Sequence, residues 1–175
     1  MHPSSMNNML IAKTNYLKAL SKQAIILDVG GRGRKGDRSY RTIFKDNYSE
    51  YFIADIEEGL GVTHIMTGPY TLPFEDNTFD LIVSGQTLEH VDNPFKLVAE
   101  MKRTMKPNSF IVLIAPSSGP RHDQRDCWRF MDDAWSAIAN DIGLIVVDQW
   151  ISKDATDKRS RKWQDNVFIG KKPNA

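Results

Sequence analysis

The chain has 175 residues, with 23 Lys or Arg against 22 Asp or Glu. That is about one domain by length, large enough to bury a core unaided, and its near-zero net charge argues against a protein drawn bodily to nucleic acid or to an anionic membrane. The lone Cys127 excludes an internal disulfide and a thiol-built zinc cluster, so no metal is expected and a reducing, cytoplasmic setting fits.

Residues 1–22 are expected to be a helical lead-in, with a short helix over 10–22 carrying Leu10, Ile11, Leu17 and Leu20. The first ten residues lack the apolar stretch of a signal peptide, and no later run approaches the roughly 18 apolar residues of a membrane span. The run 24–29 reads as a buried strand of the parallel-sheet kind. A basic, glycine-rich loop follows over 30–36, then a helix over 38–45 with Tyr40, Ile43 and Phe44 on one side. Strand two is 51–54, closed by Asp55. Only the short turn 57–61 separates it from a third apolar piece, 62–66, which leaves no room for a crossover helix.

The fourth strand, 79–83, ends in Ser84-Gly85. The next helix has Asp92 or Asn93 as cap and Pro94 in its first turn. Phe95, Val98, Met101 and Met105 recur at helical spacing, and Lys102, Arg103 and Lys106 favour the C-terminal end. Pro107-Asn108 stops it and leads into a fifth strand, 110–115. A further helix begins at Asp132 or Asp133, turns Trp135, Ile138 and Ile142 inward and ends at Gly143. Strands 144–151 and 166–171 have no predicted helix between them and should pair as a hairpin. The polar segment 152–165, with five Lys or Arg, is either a lid over the ligand face or a bare hairpin tip. Strands alternating with helices imply an α/β sheet.

The loop after the first strand has competing readings. Gly31, Gly33 and Gly36 spell G-x-G-x-x-G, and Asp55 lies 19 residues further on, a dinucleotide fingerprint that points to an NAD-type oxidoreductase. The same acid after strand two holds ribose hydroxyls in S-adenosylmethionine enzymes, where a carboxylate accepts two hydrogen bonds from a diol. Arg32, Arg34 and Lys35 favour a phosphate or carboxylate nearby. A solvated basic turn with no ligand is the third reading.

The segment Leu72-Pro73-Phe74-Glu75-Asp76-Asn77-Thr78-Phe79-Asp80, followed by Leu88-Glu89-His90-Val91 and a capped helix, resembles the class I S-adenosylmethionine-dependent methyltransferases, in particular the type 11 methyltransferase-domain family. The stretches Ala115-Pro116-Ser117-Ser118-Gly119-Pro120 and Asp126-Cys127-Trp128-Arg129-Phe130 look like those of short members of that family. The resemblance spans about 25–170 and implies a Rossmann-like α/β fold: seven strands, order 3-2-1-4-5-7-6, the last antiparallel, helices on both faces, in a single domain over 1–175. Two departures stand out. Arg32 and Arg34 replace the later glycines of the family's acid-x-Gly-x-Gly-x-Gly turn, and Gly68 stands where many members carry an adenine-contacting Asp.

What the resemblance implies for the site is residue-specific. Asp28, Gly30, Gly31 and Gly33 line the methionine end of S-adenosyl-L-methionine. Asp55 binds the ribose, with Ile56 against adenine and the backbone at Pro69 and Tyr70 recognising the base. Ser84, Gly85 and Gln86 sit beside the transferable methyl. Asp28 read simply as a loop-ordering carboxylate stays open. His122 is the candidate catalytic base; His90, Asp126 and Trp128 are candidate acceptor contacts, against the plainer readings of a solvent-exposed loop (His122), a structural histidine (His90) and an aromatic pinning the loop to the core (Trp128). Cys127 reads as a packed small residue. The expected reaction is methyl transfer to a small-molecule or saccharide-like acceptor, with a nucleic-acid partner disfavoured and a homo-oligomer a way to complete the pocket. A non-catalytic binding protein on the same fold is the alternative.

Overall fold

A computed structural model describes residues 2–33, 38–152 and 158–174 of the chain. Seven strands form one sheet: β1 (Ala24–Val29), β2 (Tyr48–Asp55), β3 (His64–Ile65), β4 (Phe79–Gly85), β5 (Met105–Pro116), β6 (Ile145–Ile151) and β7 (Asp165–Lys171). Their order is β3-β2-β1-β4-β5-β7-β6, as expected. β7 runs antiparallel to both β5 and β6, and the other neighbours are parallel.

Both faces of the sheet are covered, which is why its inner strands read as continuous apolar runs. Along β1, Leu27 and Val29 enter the layer holding Leu97, Val98 and Met101 of α2 (Pro94–Thr104) and Trp135 and Ile138 of α3 (Ala134–Ile142). Ala24 and Ile26 enter the opposite layer, with Met9 and Ala12 of α1 (Pro3–Tyr16) and with Tyr40 and Phe44. Each fully buried Ile, Leu or Phe here stabilises the fold by about 1.5–3 kcal/mol.

The α2 start forms as its sequence dictates: the Asn93 side chain accepts from Lys96 N at 3.1 Å and Pro94 takes the first turn. Phe95 departs from the expected inward set and is exposed, because Leu97 takes the inward position with Val98. α3 stops at Gly143, whose φ of 69° suits a left-handed cap. β3 follows β2 with no intervening helix, as the short spacing required.

Three expectations need correction. α1 occupies Pro3–Tyr16 instead of 10–22. Its inward residues include Ser4, Ser5 and Asn8, buried by hydrogen bonding to Asp165 and Tyr40, so apolar periodicity does not reveal the start. The helix expected over 38–45 is a single 3-10 turn, Tyr40–Thr42, opened by Ser39 Oγ accepting from Arg41 N at 3.2 Å. Finally, β6 and β7 pair as expected, but α4 (Lys158–Trp163) lies between them. Among the described residues no helix is long and apolar enough to cross a membrane.

Candidate cofactor and active site

β1, β2 and β4 end together on a cleft of about 620 Å³. This is the crevice at the strand C-termini where open α/β sheets bind ligands. The end of β1 and the turn after it supply Asp28, Gly30, Gly31, Arg32 and Gly33 to its wall, and the end of β4 with the residue after it supplies Gly85 and Gln86. All but Arg32, six in number, are residues expected to surround the cofactor or stand beside it.

Asp28 is the electrostatic centre of this end. Its side chain is buried; Oδ2 accepts from the Tyr51 hydroxyl at 3.0 Å, while Oδ1 has no hydrogen-bond partner among the described residues. Burial pushes its pKa up to about 7, against the opposing effect of the Tyr51 bond. Beside it Gly30 turns the chain with φ 75°, and a Cβ there would overlap the Thr87 side chain. Its N–H bonds to Ala54 O at 2.8 Å.

Gly85 lies flat on the phenol of Tyr40, so that a Cβ at this position would overlap the hydroxyl. That hydroxyl pairs with Ser5 Oγ at 2.5 Å. Gln86, at φ 58°, donates from Nε2 to Asp165 Oδ1 at 3.0 Å. Asp165 also accepts from Ser4 Oγ at 2.8 Å and Asn8 Nδ2 at 3.3 Å, tying α1 and β7 to the turn after β4. Ser84 does not reach the cleft; its Oγ donates to Val29 O at 2.7 Å and fastens β4 to the β1 turn.

The far end is arranged differently. Asp55, Ile56, Pro69 and Tyr70 do not line the cleft. The Asp55 carboxylate accepts from Glu57 N at 3.2 Å and Arg32 N at 3.4 Å, and the Arg32 guanidinium bridges towards it while pairing with Glu57. Gly33 N–H donates to Leu60 O at 3.0 Å, docking the loop after β2 onto the glycine turn. Ile56 is 57% exposed, Pro69 is exposed, and Tyr70 accepts at its hydroxyl from Asn93 N.

On the rim, His122 lines the cleft together with Trp163, their rings 4.6 Å apart. His122 Nδ1 lies 2.9 Å from Asp126 Oδ2. Asp126 faces inward: its side chain is fully buried and clamped by both terminal nitrogens of Arg129 at 2.5 and 2.7 Å. The Arg129 clamp holds its carboxyl well below the usual carboxylate range. Trp128 lies outside the cleft and donates from Nε1 to Val91 O at 2.8 Å. His90 also stands off the cleft wall, its ring 5.0 Å from that of His122. Cys127 is exposed, so the packed position expected for it is corrected. Of the segment 152–165, Trp163 reaches the cleft, while 153–157 lie outside the described residues, as do Arg34, Lys35 and Gly36 of the glycine loop.

Sequence reasoning missed several participants. His2, Arg38, Arg41 and Trp163 line the cleft, and Tyr51, Asp165 and Arg129 support it. Glu89, next to His90, is buried, and among the described residues neither of its carboxylate oxygens is hydrogen-bonded; burial pushes its pKa up to about 8. The Glu89-His90 pair bracketed by Leu88 and Val91 is itself a visible signal, since a carboxylate drawn inward with such neighbours is costly to bury unpaired.

A mostly parallel sheet in this order, with a glycine turn over a cleft at its strand ends, defines the class I methyltransferase fold. Solved structures agree over nearly the whole chain. The YcgJ protein of Bacillus subtilis is 14% identical, with TM-score 0.72, covering 99% of this chain and 100% of that one. A Burkholderia thailandensis 1,6-didemethyltoxoflavin-N1-methyltransferase, solved with bound 1,6-didemethyltoxoflavin and S-adenosylhomocysteine, is 15% identical, with TM-score 0.73, covering 98% of this chain and 80% of that one. Residues 35–113 match a family model described as a methyltransferase domain. The fold is thus that of the class I S-adenosylmethionine-dependent methyltransferases, and the segment 35–113 is similar to a methyltransferase domain. Among curated relatives, the biotin biosynthesis bifunctional protein BioHC of Teredinibacter turnerae is 33% identical over 63 residues, 36% of this chain and 11% of that protein. The demethylmenaquinone methyltransferase of Bacillus pumilus is 33% identical over 69 residues, 33% of this chain and 30% of that protein. The matches thus span well under half the length of these relatives.

Proposed function

We propose that this chain binds S-adenosyl-L-methionine and transfers its methyl group to a small-molecule acceptor. The observation that carries the reading is the free Oδ1 of buried Asp28 at the foot of the Gly30 turn. A buried carboxylate oxygen without a donor calls for a cation, and the ammonium of the cofactor's amino-acid tail supplies one. Arg38 and Arg41 on the same cleft suit the tail's carboxylate. Gly85 and Gln86 then flank the methyl. At the adenosine end Asp55 takes the ribose diol once Arg32 moves aside, and exposed Ile56 covers one face of adenine, with the Pro69–Tyr70 backbone beyond.

When bound, the cofactor supplies a methyl activated on a sulfonium that departs as a neutral thioether. The protein has to align the acceptor and exclude water. His122 is placed for a proton-accepting role: the Asp126 carboxylate accepts from Nδ1–H, which fixes the tautomer and leaves Nε2 with its lone pair. The size of the cleft suits the cofactor with a small acceptor, and the toxoflavin-precursor neighbour acts on a molecule of that scale. The lone cysteine is in keeping with a cytoplasmic setting.

The dinucleotide reading is the weaker one. A pyrophosphate needs free backbone N–H groups in the turn, yet those of Gly30, Arg32 and Gly33 are engaged by Ala54, Asp55 and Leu60. The non-catalytic alternative draws on one observation, Arg32 seated across Asp55. Parallel calorimetric titrations with S-adenosylhomocysteine and NADH test the proposal. Saturable binding of the first alone is expected, and tight NADH binding with no response to the first would overturn it. Binding without turnover over a broad acceptor panel would favour the non-catalytic alternative.

A further inference from the structure

Three side chains that the cofactor does not need converge at the rim of the cleft: Glu89, His90 and His122. One ligand-type atom from each lies within 4.8 Å of the other two. Glu89 has no exposed surface, and among the described residues neither of its carboxylate oxygens has a hydrogen-bond partner and its nearest cation-forming neighbour is His90 Nε2 at 3.6 Å. Removing a carboxylate from water without a partner is strongly unfavourable, so the fold is holding it for something.

The two histidines are oriented from behind. His90 Nδ1 is 2.5 Å from the Arg125 carbonyl oxygen, which can only accept, so Nδ1 carries the hydrogen. His122 Nδ1 faces the Asp126 carboxylate at 2.9 Å, and Arg129 locks that carboxylate in place. Both rings therefore present an Nε2 lone pair, with Nδ1–H donated to an oxygen. This is the outer-shell pattern of metal-ligating histidines, one through a carbonyl and one through a carboxylate. Neighbouring ligand atoms of a tetrahedral zinc site stand about 3.3 Å apart, given bonds of about 2.0–2.1 Å. A bound ion has to draw the three groups closer than the 4.8 Å within which they lie here.

We propose that Glu89, His90 and His122 form a divalent-metal site of the zinc class. Two imidazole nitrogens select a borderline transition metal over Mg²⁺ or Ca²⁺, which prefer all-oxygen shells. Three protein ligands leave a coordination position open, and His122 sets it beside the cleft. An acceptor bearing an ionisable hydroxyl fits there; its proton passes to water when the metal lowers the hydroxyl's pKa. With metal bound, His122 serves as a ligand and not as the proton acceptor. This use rests on the methyl-transfer reading, whereas the binding of the metal does not.

The test is a titration of the chelator-treated full chain with Zn²⁺ by calorimetry and with Co²⁺ by visible absorption, and S-adenosylhomocysteine affinity measured separately. One Zn²⁺ per chain and a Co²⁺ ligand-field band are expected, with Mg²⁺ failing to compete. Glu89→Gln and His122→Asn should each weaken Zn²⁺ binding by roughly 100-fold or more, above the effect of outer-shell changes. His64→Gln, away from the cluster, should leave it unchanged, and circular dichroism with retained S-adenosylhomocysteine binding shows that the variants are folded. Wild-type chain that takes up no Zn²⁺ or Co²⁺, or folded His122→Asn that binds as wild type does, would overturn the site. Loss of S-adenosylhomocysteine binding with metal binding intact would count against the cofactor reading alone.

Discussion

At the Asp28 end of the cleft, the polar groups around the open space are held from outside it, and among the described residues one buried oxygen is left over. Tyr51 holds Asp28, Asp165 holds Gln86, and Tyr40 supports Gly85. At the Asp55 end the polar groups are occupied by the protein itself: Arg32 and Glu57 engage Asp55, and Leu60 binds Gly33. The difference teaches that a single cleft can be half preorganised. The first end loses little freedom on binding, whereas the second must exchange internal contacts for those of a ligand.

The sharpest break of this contrast is Asp28→Ala, which should weaken S-adenosylhomocysteine binding by about 100-fold, the scale of one charge-assisted contact in a buried site. Asp55→Ala should cost about tenfold or less, because that carboxylate has to be released first. If calorimetry gave the reverse ranking, the contrast between the ends would be lost.

Next in size is a pH effect on stability. Burial raises the Asp28 pKa from 3.8 to about 7, so the folded state holds that proton more tightly than the unfolded one. Its contribution is fully present below pH ~4 and is lost as pH rises towards ~7, with an effect on the order of a few kcal/mol. Asp28→Asn, which keeps an acceptor for Tyr51, should therefore gain melting temperature over the wild type as pH rises from 5 to 8. A constant difference across that range would show that the carboxyl is not buried as described.

Gly85→Ala comes third. Its methyl must displace the Tyr40 hydroxyl, and overpacking of this kind costs about 1–3 kcal/mol. Tyr40→Phe in the same chain should recover part of the loss in a denaturant titration, and additive destabilisation would argue against the contact. The smallest effect is expected from Arg32→Ala. Freeing Asp55 should tighten S-adenosylhomocysteine binding by roughly threefold, since a half-exposed ion pair is weak. Weaker binding would mean that Arg32 assists the ligand instead.

The same contrast marks what the sequence made legible. β1, β4 and β5 announce themselves as apolar runs, and α2 by Asn93, Pro94 and its inward spacing, because burial on a sheet face leaves a direct pattern. The sheet order came with the resemblance around Leu72–Val91, and Asp28 and Gly30 with the turn. The supports were hidden for a physical reason. Asp165 meets Gln86 across 79 residues of chain, and Ser5 meets Tyr40 across 35. Such pairings have no local periodicity. α1 was misplaced because its buried face is partly serine and asparagine. Asp126 looked like an acceptor contact until Arg129, three residues on, was seen to clamp it inside.

The most direct test compares S-adenosylhomocysteine with 5′-methylthioadenosine, which keeps the adenosine but lacks the amino-acid tail, as ligands of the wild-type chain. If the tail docks on Asp28 and the arginines, the shorter ligand should bind at least about 100-fold more weakly by calorimetry. Equal affinities would contradict a cofactor anchored at the methionine end.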